Sequence, residues 1–329
     1  MNYKENTKMS NRILYLDVAK SLAMLLVVFG HVIVDYDTRG YAAPCALAIY
    51  SFHTAFFMFM SGWFFSNALK KQYKTLIVEK SRQLLLPYFS WSIIMLIFQQ
   101  IPESGFDVFG SMSDYIKGGW LRNYWYLKLL FLYIILTYFS IKITRIKWIG
   151  CIVSFLLFTF LPNFSFSSVF IPFFLAAYLG RSFIDKHDGY RWIIGYTLVA
   201  FVLYMFWKPS YSYTSVNMQF LPWLVRTLIG IDISCLLLLL LKKIFLFAPE
   251  KWKITQLLRY TGTITLGIYV SHFLFYKPCI MGWLINLLPS DLVLIYLIWA
   301  VVTFVLTTLL VTLIGKNRYL AFVFLGKKL

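Results

Sequence analysis

The chain has 329 residues, of which 60% are hydrophobic and 20% aromatic, while only 13% are charged. Soluble domains are about 45–50% apolar and about 25% charged, so this composition excludes a water-soluble globule. The formal net charge of +18 would suit a nucleic-acid-binding protein if the basic residues lined one face, but they fall in clusters between long apolar runs. This pattern is typical of a membrane protein and argues against nucleic acid as a partner.

Apolar stretches of about 20 residues, the length that crosses a bilayer, recur along the chain. The ten predicted spans are 13–34, 49–69, 84–101, 123–141, 147–161, 168–184, 191–207, 221–241, 262–277 and 291–314. We therefore expect an all-α, multi-pass protein of about ten transmembrane helices, in which residues 1–329 form one membrane domain with no separate soluble domain. Because Asp17 and Lys20 interrupt the first apolar run, we expect it to be a retained span and not a cleaved signal peptide.

Charge placement predicts the orientation. Most of the 31 Lys and Arg residues fall in alternate segments between the spans, which places both termini in the cytoplasm and the protein in the cytoplasmic (inner) membrane. The segments between spans are too short to be folded domains, so the function should lie within the bilayer or at its faces. The four Cys form no C-x-x-C pair, and we expect no metal site.

Ionisable residues inside spans are costly and usually functional or paired. The first span carries Asp17, Lys20 and His31. The histidine lies eleven positions after the lysine, about three helical turns and about 16 Å of rise, so the two share one helix face. Asp17, three residues before Lys20, is placed to pair with it.

Two more histidines fall in the predicted outer halves of other spans. His53 lies near the start of the second span, and His272 follows Ser271 past the middle of the ninth. With His31 at similar depth, the three imidazoles are placed to converge on one site, although a hydrogen-bonded structural role is the alternative for each.

Several residues near the predicted outer face fit two interpretations. Arg122, Trp125 and Arg226 are either interfacial anchors or residues that line a site.

Five short motifs follow one another along the chain. The first is a basic residue, ten residues and a histidine, here Lys20, SLAMLLVVFG and His31. The others are FHTAFFMFMSG, RQLLLPY beginning at Arg82, WYL beginning at Trp125, and LGIYVSH. In these motifs the chain resembles acyltransferase family 3, in its fucose 4-O-acetylase-like branch of integral-membrane acyltransferases. Many relatives have arginine at the position of Lys20, and lysine lacks the planar fork for bidentate phosphate contacts.

The resemblance implies a membrane O-acetyltransferase that modifies polysaccharide. It would move an acetyl or other acyl group from cytoplasmic acetyl-CoA to a hydroxyl of a cell-envelope glycan or lipid-linked sugar, with no tightly bound cofactor. His31 would be the general base, and Lys20 and Arg82 would hold the CoA phosphates. The remaining expected site residues, for catalysis, oxyanion stabilisation or the acceptor, are Asp17, His53, His272, Arg122, Trp125 and Ser271.

Other interpretations stay open on the sequence. A multi-span transporter or glycan flippase would use Asp17, Lys20 and His31 for coupling. A non-catalytic partner in polysaccharide assembly is a third class. Within the enzyme class, direct transfer and a covalent acyl-histidine or acyl-serine relay both fit, and nothing in the sequence argues against a homo-oligomer.

Overall fold

In the computed structural model, every regular element of the described residues is a helix. The described residues are 13–37, 43–100, 124–160, 168–208, 220–247, 252–276 and 293–329. The expectation of an all-α protein is therefore confirmed for this part of the chain.

The helices begin and end as follows. They are α1 (Leu14–Tyr36), α2 (Ala43–Trp63), α3 (Ser66–Leu69), α4 (Tyr73–Lys80), α5 (Leu86–Met95), α6 (Trp125–Thr144), α7 (Lys147–Phe160), α8 (Ile171–Lys186), α9 (Tyr190–Met205), α10 (Phe220–Phe247), α11 (Lys253–Thr263), α12 (Thr265–Ser271), α13 (Phe273–Tyr276), α14 (Val293–Lys316) and α15 (Arg318–Leu325). A π-helical stretch, Ser81–Leu85, joins α4 to α5, and a second one, Leu96–Gln100, follows α5.

Six helical segments in the described part of the chain are long and apolar enough to cross a bilayer. They are Leu14–Asp35, Pro44–Leu69, Tyr73–Phe98, Trp125–Thr144, Phe220–Phe245 and Val293–Lys316. The other four predicted spans fall on shorter helices, namely α7, α8, α9 and the α11–α13 run. The 14 residues of α7, for example, rise about 21 Å, less than the roughly 30 Å of a hydrocarbon core. Ten spans, cytoplasmic termini and a single domain over the whole chain stay predictions.

Helix α1 lies at the centre of the bundle. It packs against α2, α10, α11 and α14, while α2 also packs against α8 and α10. Outer helices leave large apolar side chains uncovered: Phe201 is 67% exposed and Met205 72% exposed on α9. A continuous apolar exterior of this kind is rare on soluble monomers and fits contact with lipid.

Glycine allows two pairs of these helices to approach closely. A Cβ atom at Gly262 of α11 would lie 1.9 Å from the carbonyl oxygen of Asp17, and one at Gly62 of α2 would lie 2.0 Å from that of Phe174. Beside the first contact, the hydroxyls of Ser21 and Thr261 lie 2.6 Å apart. The end of α1 that carries Asp17 and Lys20 is therefore held against the backbone of α11.

We expect Gly262→Ala to destabilise the protein by about 1–3 kcal/mol, because the new methyl group collides with backbone that cannot rotate away. Thermal unfolding of the purified protein in detergent measures this as a lower midpoint. Gly195→Ala on α9 is the matched control, since no atom lies within 4 Å of its added Cβ. Equal midpoints for the two variants would contradict the close approach.

The predicted ninth span, 262–277, is not one continuous helix, and this expectation needs correction. Helix α11 ends at Thr263, and Ile264 has φ −113° and ψ 13°, outside the helical region. The Thr263 hydroxyl donates to the carbonyl of Tyr260, an alternative to regular helix hydrogen bonding. A second interruption separates α12 from α13 at His272.

The last helix is anchored through its backbone. Ser90 and the Trp91 indole N–H donate to the carbonyls of Val323 and Phe324, each at 2.9 Å. Arg82 Nε donates to the carbonyl of Gly326 at 3.3 Å. Gly326 has a left-handed φ of 62° and closes α15. These bonds attach the end of α15 to the helix formed by α4, the first π-helical stretch and α5.

Candidate active site

His31 lies where α1 meets α2 and the α12–α13 break. Its ring centroid is 5.4 Å from that of His272 and 5.5 Å from that of Phe273. The Tyr50 hydroxyl lies 3.5 Å from His31 Nδ1, at the limit of a hydrogen bond. The half-buried His31 imidazole of α1 is thus contacted by groups from two other parts of the chain.

His272 occupies the turn between α12 and α13 and is fully buried. Its Nδ1 donates to the carbonyl of Tyr269 at 2.6 Å, which leaves Nε2 as the acceptor atom of a neutral ring. The neighbouring Ser271 hydroxyl donates to the carbonyl of Gly267 at 2.8 Å. The helix break therefore orients the His272 ring, whereas Ser271 is hydrogen-bonded within its own helix.

His53 is buried, and both of its ring nitrogens have local partners. Nδ1 donates to the carbonyl of Ile49 at 2.8 Å, so that Nε2 accepts from the Thr54 hydroxyl at 3.0 Å in the neutral ring. The His53 ring packs edge-to-face against Tyr50, with 4.6 Å between centroids. Tyr50 therefore contacts both His53 and His31 and links the two rings.

The motif that begins at Trp125 lies next to the one that contains Tyr269. The ring of Tyr126 is 5.5 Å from Tyr269, whose own ring is 5.9 Å from His272. The Tyr126 hydroxyl lies 2.9 Å from that of Ser61. An aromatic chain therefore runs from the paired imidazoles into the interior of the helix bundle.

Two residues that the sequence motifs did not predict as site residues, Tyr50 and Tyr124, complete this cluster. Tyr50 contacts both His31 and His53. Tyr124 donates to the carbonyl of Val270 at 2.8 Å, and its ring lies 5.5 Å from Phe273. Tyr50 is three residues from His53, and so on the same helix face, which is the signal that would have pointed to it.

Asp17 and Lys20 form an ion pair, with 3.1 Å between the ammonium and a carboxylate oxygen. The Asp17 side chain is 4% exposed and that of Lys20 23%. The Lys20 ammonium also lies 4.8 Å from the centroid of the Phe64 ring. The fourteen-residue interval to His31 corresponds to about 21 Å of rise, so the structure places Asp17 beside Lys20 and away from the imidazoles.

Arg82 is half-buried and lies in the first π-helical stretch, where its Nε is bonded to Gly326. The structure does not bring Arg82 together with the imidazoles: no described contact joins it to His31, His53 or His272. Such π-helical turns inside α-helices occur often at functional sites.

Arg226 of α10 is 5% exposed, and its Nη1 has no hydrogen-bond partner among the described residues. Its guanidinium carbon lies 5.2 Å from the Phe170 ring, and that ring is 5.0 Å from Trp125. A buried cation contacting a π face is therefore aligned with the aromatic residues of α6. Arg122, which the sequence grouped with Trp125, lies outside the described residues.

Comparison with known proteins identifies the family. A family model described as an acyltransferase domain matches residues 13–316. The chain belongs to acyltransferase family 3. This confirms the resemblance seen in the sequence motifs and identifies the chain as a member of a family of multi-pass membrane proteins.

A curated relative of this chain is nodulation protein NolL of Mesorhizobium japonicum, which is 27% identical over 232 residues. The aligned region covers 63% of this chain and 60% of NolL, so the chain spans less than two thirds of that relative. No solved structure matches the chain.

Proposed function

We propose that this acyltransferase is an O-acetyltransferase that moves acetyl from cytoplasmic acetyl-CoA to a hydroxyl of a cell-envelope glycan or lipid-linked sugar. The observation that carries the proposal is the meeting of His31, His272 and Tyr50 where three separate helical segments join. The helix that carries this base also carries one cationic residue, Lys20, near its other end. This arrangement suits a donor that is anionic at one end and reactive at the other.

In the proposed reaction His31 is the general base. A ring nitrogen takes the proton of the acceptor hydroxyl as its oxygen attacks the thioester carbonyl. Collapse of the tetrahedral intermediate breaks the C–S bond, and the imidazolium returns the proton to the departing CoA sulfur. Tyr50 contacts the His31 ring directly, and His53, bonded on both nitrogens, positions Tyr50. In this scheme His53 is a positioning residue.

The developing oxyanion needs a donor aimed at it in a water-poor site. Among the described side chains next to His31, Tyr50 carries an O–H group, and we assign it this role. The neutral His272 ring has its one N–H bonded to the Tyr269 carbonyl and has none left for the oxyanion. Ser271 has its hydroxyl bonded to Gly267, which makes it a weaker candidate. These assignments describe direct transfer, and an acyl-histidine on His31 is the relay variant of the same geometry.

The acceptor would enter beside Trp125. The half-buried Trp125 indole offers an apolar face on which a sugar can stack, and behind it the buried Phe170 ring carries the Arg226 guanidinium. A buried guanidinium without an acidic partner in the described structure is costly, and a bound oxygen-rich ligand would lower that cost.

The donor would enter from the opposite end of α1. Lys20, held in place by Asp17, and Arg82 remain the proposed contacts to CoA phosphates, in the orientation that charge placement predicts. In this scheme Asp17 positions Lys20.

Radiolabelled acetyl-CoA added to inverted membrane vesicles tests the proposal. We expect the wild-type protein to move label into a glycan or lipid-linked-sugar fraction, and vesicles without the protein to leave that fraction unlabelled. Unlabelled fractions together with protein-dependent movement of a preformed glycan across the membrane would contradict the enzyme proposal and support a flippase.

A further inference from the structure

A groove separate from the imidazoles lies where the α3–α4 connection meets the end of α6. The groove is open on one side and has a volume of about 680 Å³. Four lysines and two tyrosines contribute to its lining, namely Lys70, Lys71, Lys74, Lys142, Tyr73 and Tyr138. It is therefore both cationic and aromatic.

The charge of this groove is largely uncompensated. Lys71 is paired with Glu79, but Lys70, Lys74 and Lys142 have no acidic partner in the part of the chain that the structure describes. The ammonium of Lys74 lies 5.9 Å from the ring of Tyr73, and that of Lys142 lies 5.6 Å from the ring of Tyr138. Three positive charges are thus available to a ligand.

The groove is held in shape by contacts between its two sides. The Tyr138 hydroxyl donates to the carbonyl of Lys71 at 2.8 Å, which fixes the α3–α4 connection against α6. The rings of Tyr73 and Phe139 lie 6.4 Å apart. Glu79, the partner of Lys71, also accepts from Gln83, the residue after Arg82. The cationic groove is therefore linked to the π-helical stretch that carries Arg82.

Its position relative to the imidazoles suits a long ligand. Lys142 lies sixteen residues after Tyr126 on α6, about 24 Å of helical rise. Tyr126 leads through Tyr269 to His272. The groove and the proposed reaction centre therefore lie toward opposite ends of one long helix. An acyl-CoA has matching polarity, with phosphates and adenine at one end and the thioester at the other.

We infer that this groove binds the nucleotide end of the acyl-CoA donor, with the three unpaired lysines on its phosphates and the tyrosine rings beside the adenine. The inference rests on the proposed function. It gives the acyl-CoA donor further contacts, beyond those proposed for Lys20 and Arg82. Lipid headgroups also carry phosphate, so the test must separate the two sources.

The test compares two donors on a triple variant, Lys70→Gln with Lys74→Gln and Lys142→Gln. The purified proteins are assayed in phosphatidylcholine nanodiscs with acetyl-CoA and with acetyl-pantetheine, which has the thioester but no nucleotide. We expect the KM for acetyl-CoA to rise at least about 10-fold and the KM for acetyl-pantetheine to stay within about twofold, because only the first donor carries the bound phosphates. A charge-matched control replaces Lys316, Lys327 and Lys328 with Gln and should leave both values unchanged.

Unchanged KM values, or equal changes for both donors, would overturn the inference. So would a defect for both donors that appears only in nanodiscs containing phosphatidylglycerol, because it would assign the groove to lipid headgroups. Calorimetric titration with adenosine 3′,5′-bisphosphate, a probe with no acyl group, tests the groove independently of transfer. Binding to the wild type but not to the triple variant would support the groove even if no acetyl transfer were found, whereas equal binding to both would overturn it.

Discussion

His31→Ala is expected to lower acetyl transfer by about 10²–10⁴-fold, the usual contribution of a positioned general base. Among the described residues, His31 is the imidazole that contacts both Tyr50 and His272, so its loss leaves the reaction centre without this base. Initial rates of label transfer from acetyl-CoA, at equal amounts of folded protein, measure the loss.

His187→Ala is the matched control for this loss. His187 follows α8, bonds the carbonyl of Phe183, and stacks on that residue's ring at 4.1 Å, apart from the other three histidines. Its removal should leave the transfer rate within about twofold of the wild type. Transfer by His31→Ala at the parental rate would rule out His31 as the base, while an equal loss in both variants would point to general damage of the fold.

Arg226→Met is expected to abolish most transfer without weakening the fold. Methionine fills a similar volume and contributes no charge, so removing a buried cation that lacks an acidic partner should leave the unfolding temperature unchanged or raised. Loss of one charge-assisted hydrogen bond to the acceptor, about 1.5–3 kcal/mol, corresponds to about 10- to 150-fold in kcat/KM. Thermal unfolding and transfer rates measured on the same preparation separate the two effects.

Two companion variants sharpen this second prediction. Arg226→Lys keeps the charge but loses the planar guanidinium, and should recover part of the activity. Arg318→Met removes an arginine that lies over Tyr319 on α15 and should change neither property. A destabilised Arg226→Met protein with proportionate loss of activity would show that Arg226 is a structural residue, contrary to its proposed place beside the acceptor.

Helical periodicity predicted the local relations in this protein well. The eleven-residue interval between Lys20 and His31 predicted a shared face, and the three-residue interval from Asp17 to Lys20 predicted the ion pair observed at 3.1 Å. Both relations lie within one helix, where geometry follows directly from residue number.

Contacts between different helices were harder to predict from the sequence. Tyr50 sits in an aromatic-rich helix where tyrosine is ordinary packing material, and its contact with His31 depends on how α1 and α2 meet. The cationic groove likewise combines lysines near α4 with one at the end of α6. In linear sequence these lysines indicate only which side of the membrane they occupy.

The break in the predicted ninth span had a local signal that hydropathy does not register. Thr261, Thr263 and Thr265 alternate there, and all three hydroxyls donate to carbonyls three or four residues earlier. Apolar length alone predicts a continuous helix across this segment. The interruption at Ile264, followed by the one at His272, instead turns the second imidazole toward the position of the first.

The anchoring of α15 affects which substitutions the protein can tolerate. Its acceptors are the main-chain carbonyls of Val323, Phe324 and Gly326, and main-chain atoms persist whatever side chain they bear. The side chains that this attachment requires are therefore those of the three donors, Ser90, Trp91 and Arg82. Substitutions within α15 should leave the attachment unchanged as long as the backbone stays helical and Gly326 is retained. Substitution of any of the three donors should remove one of its hydrogen bonds.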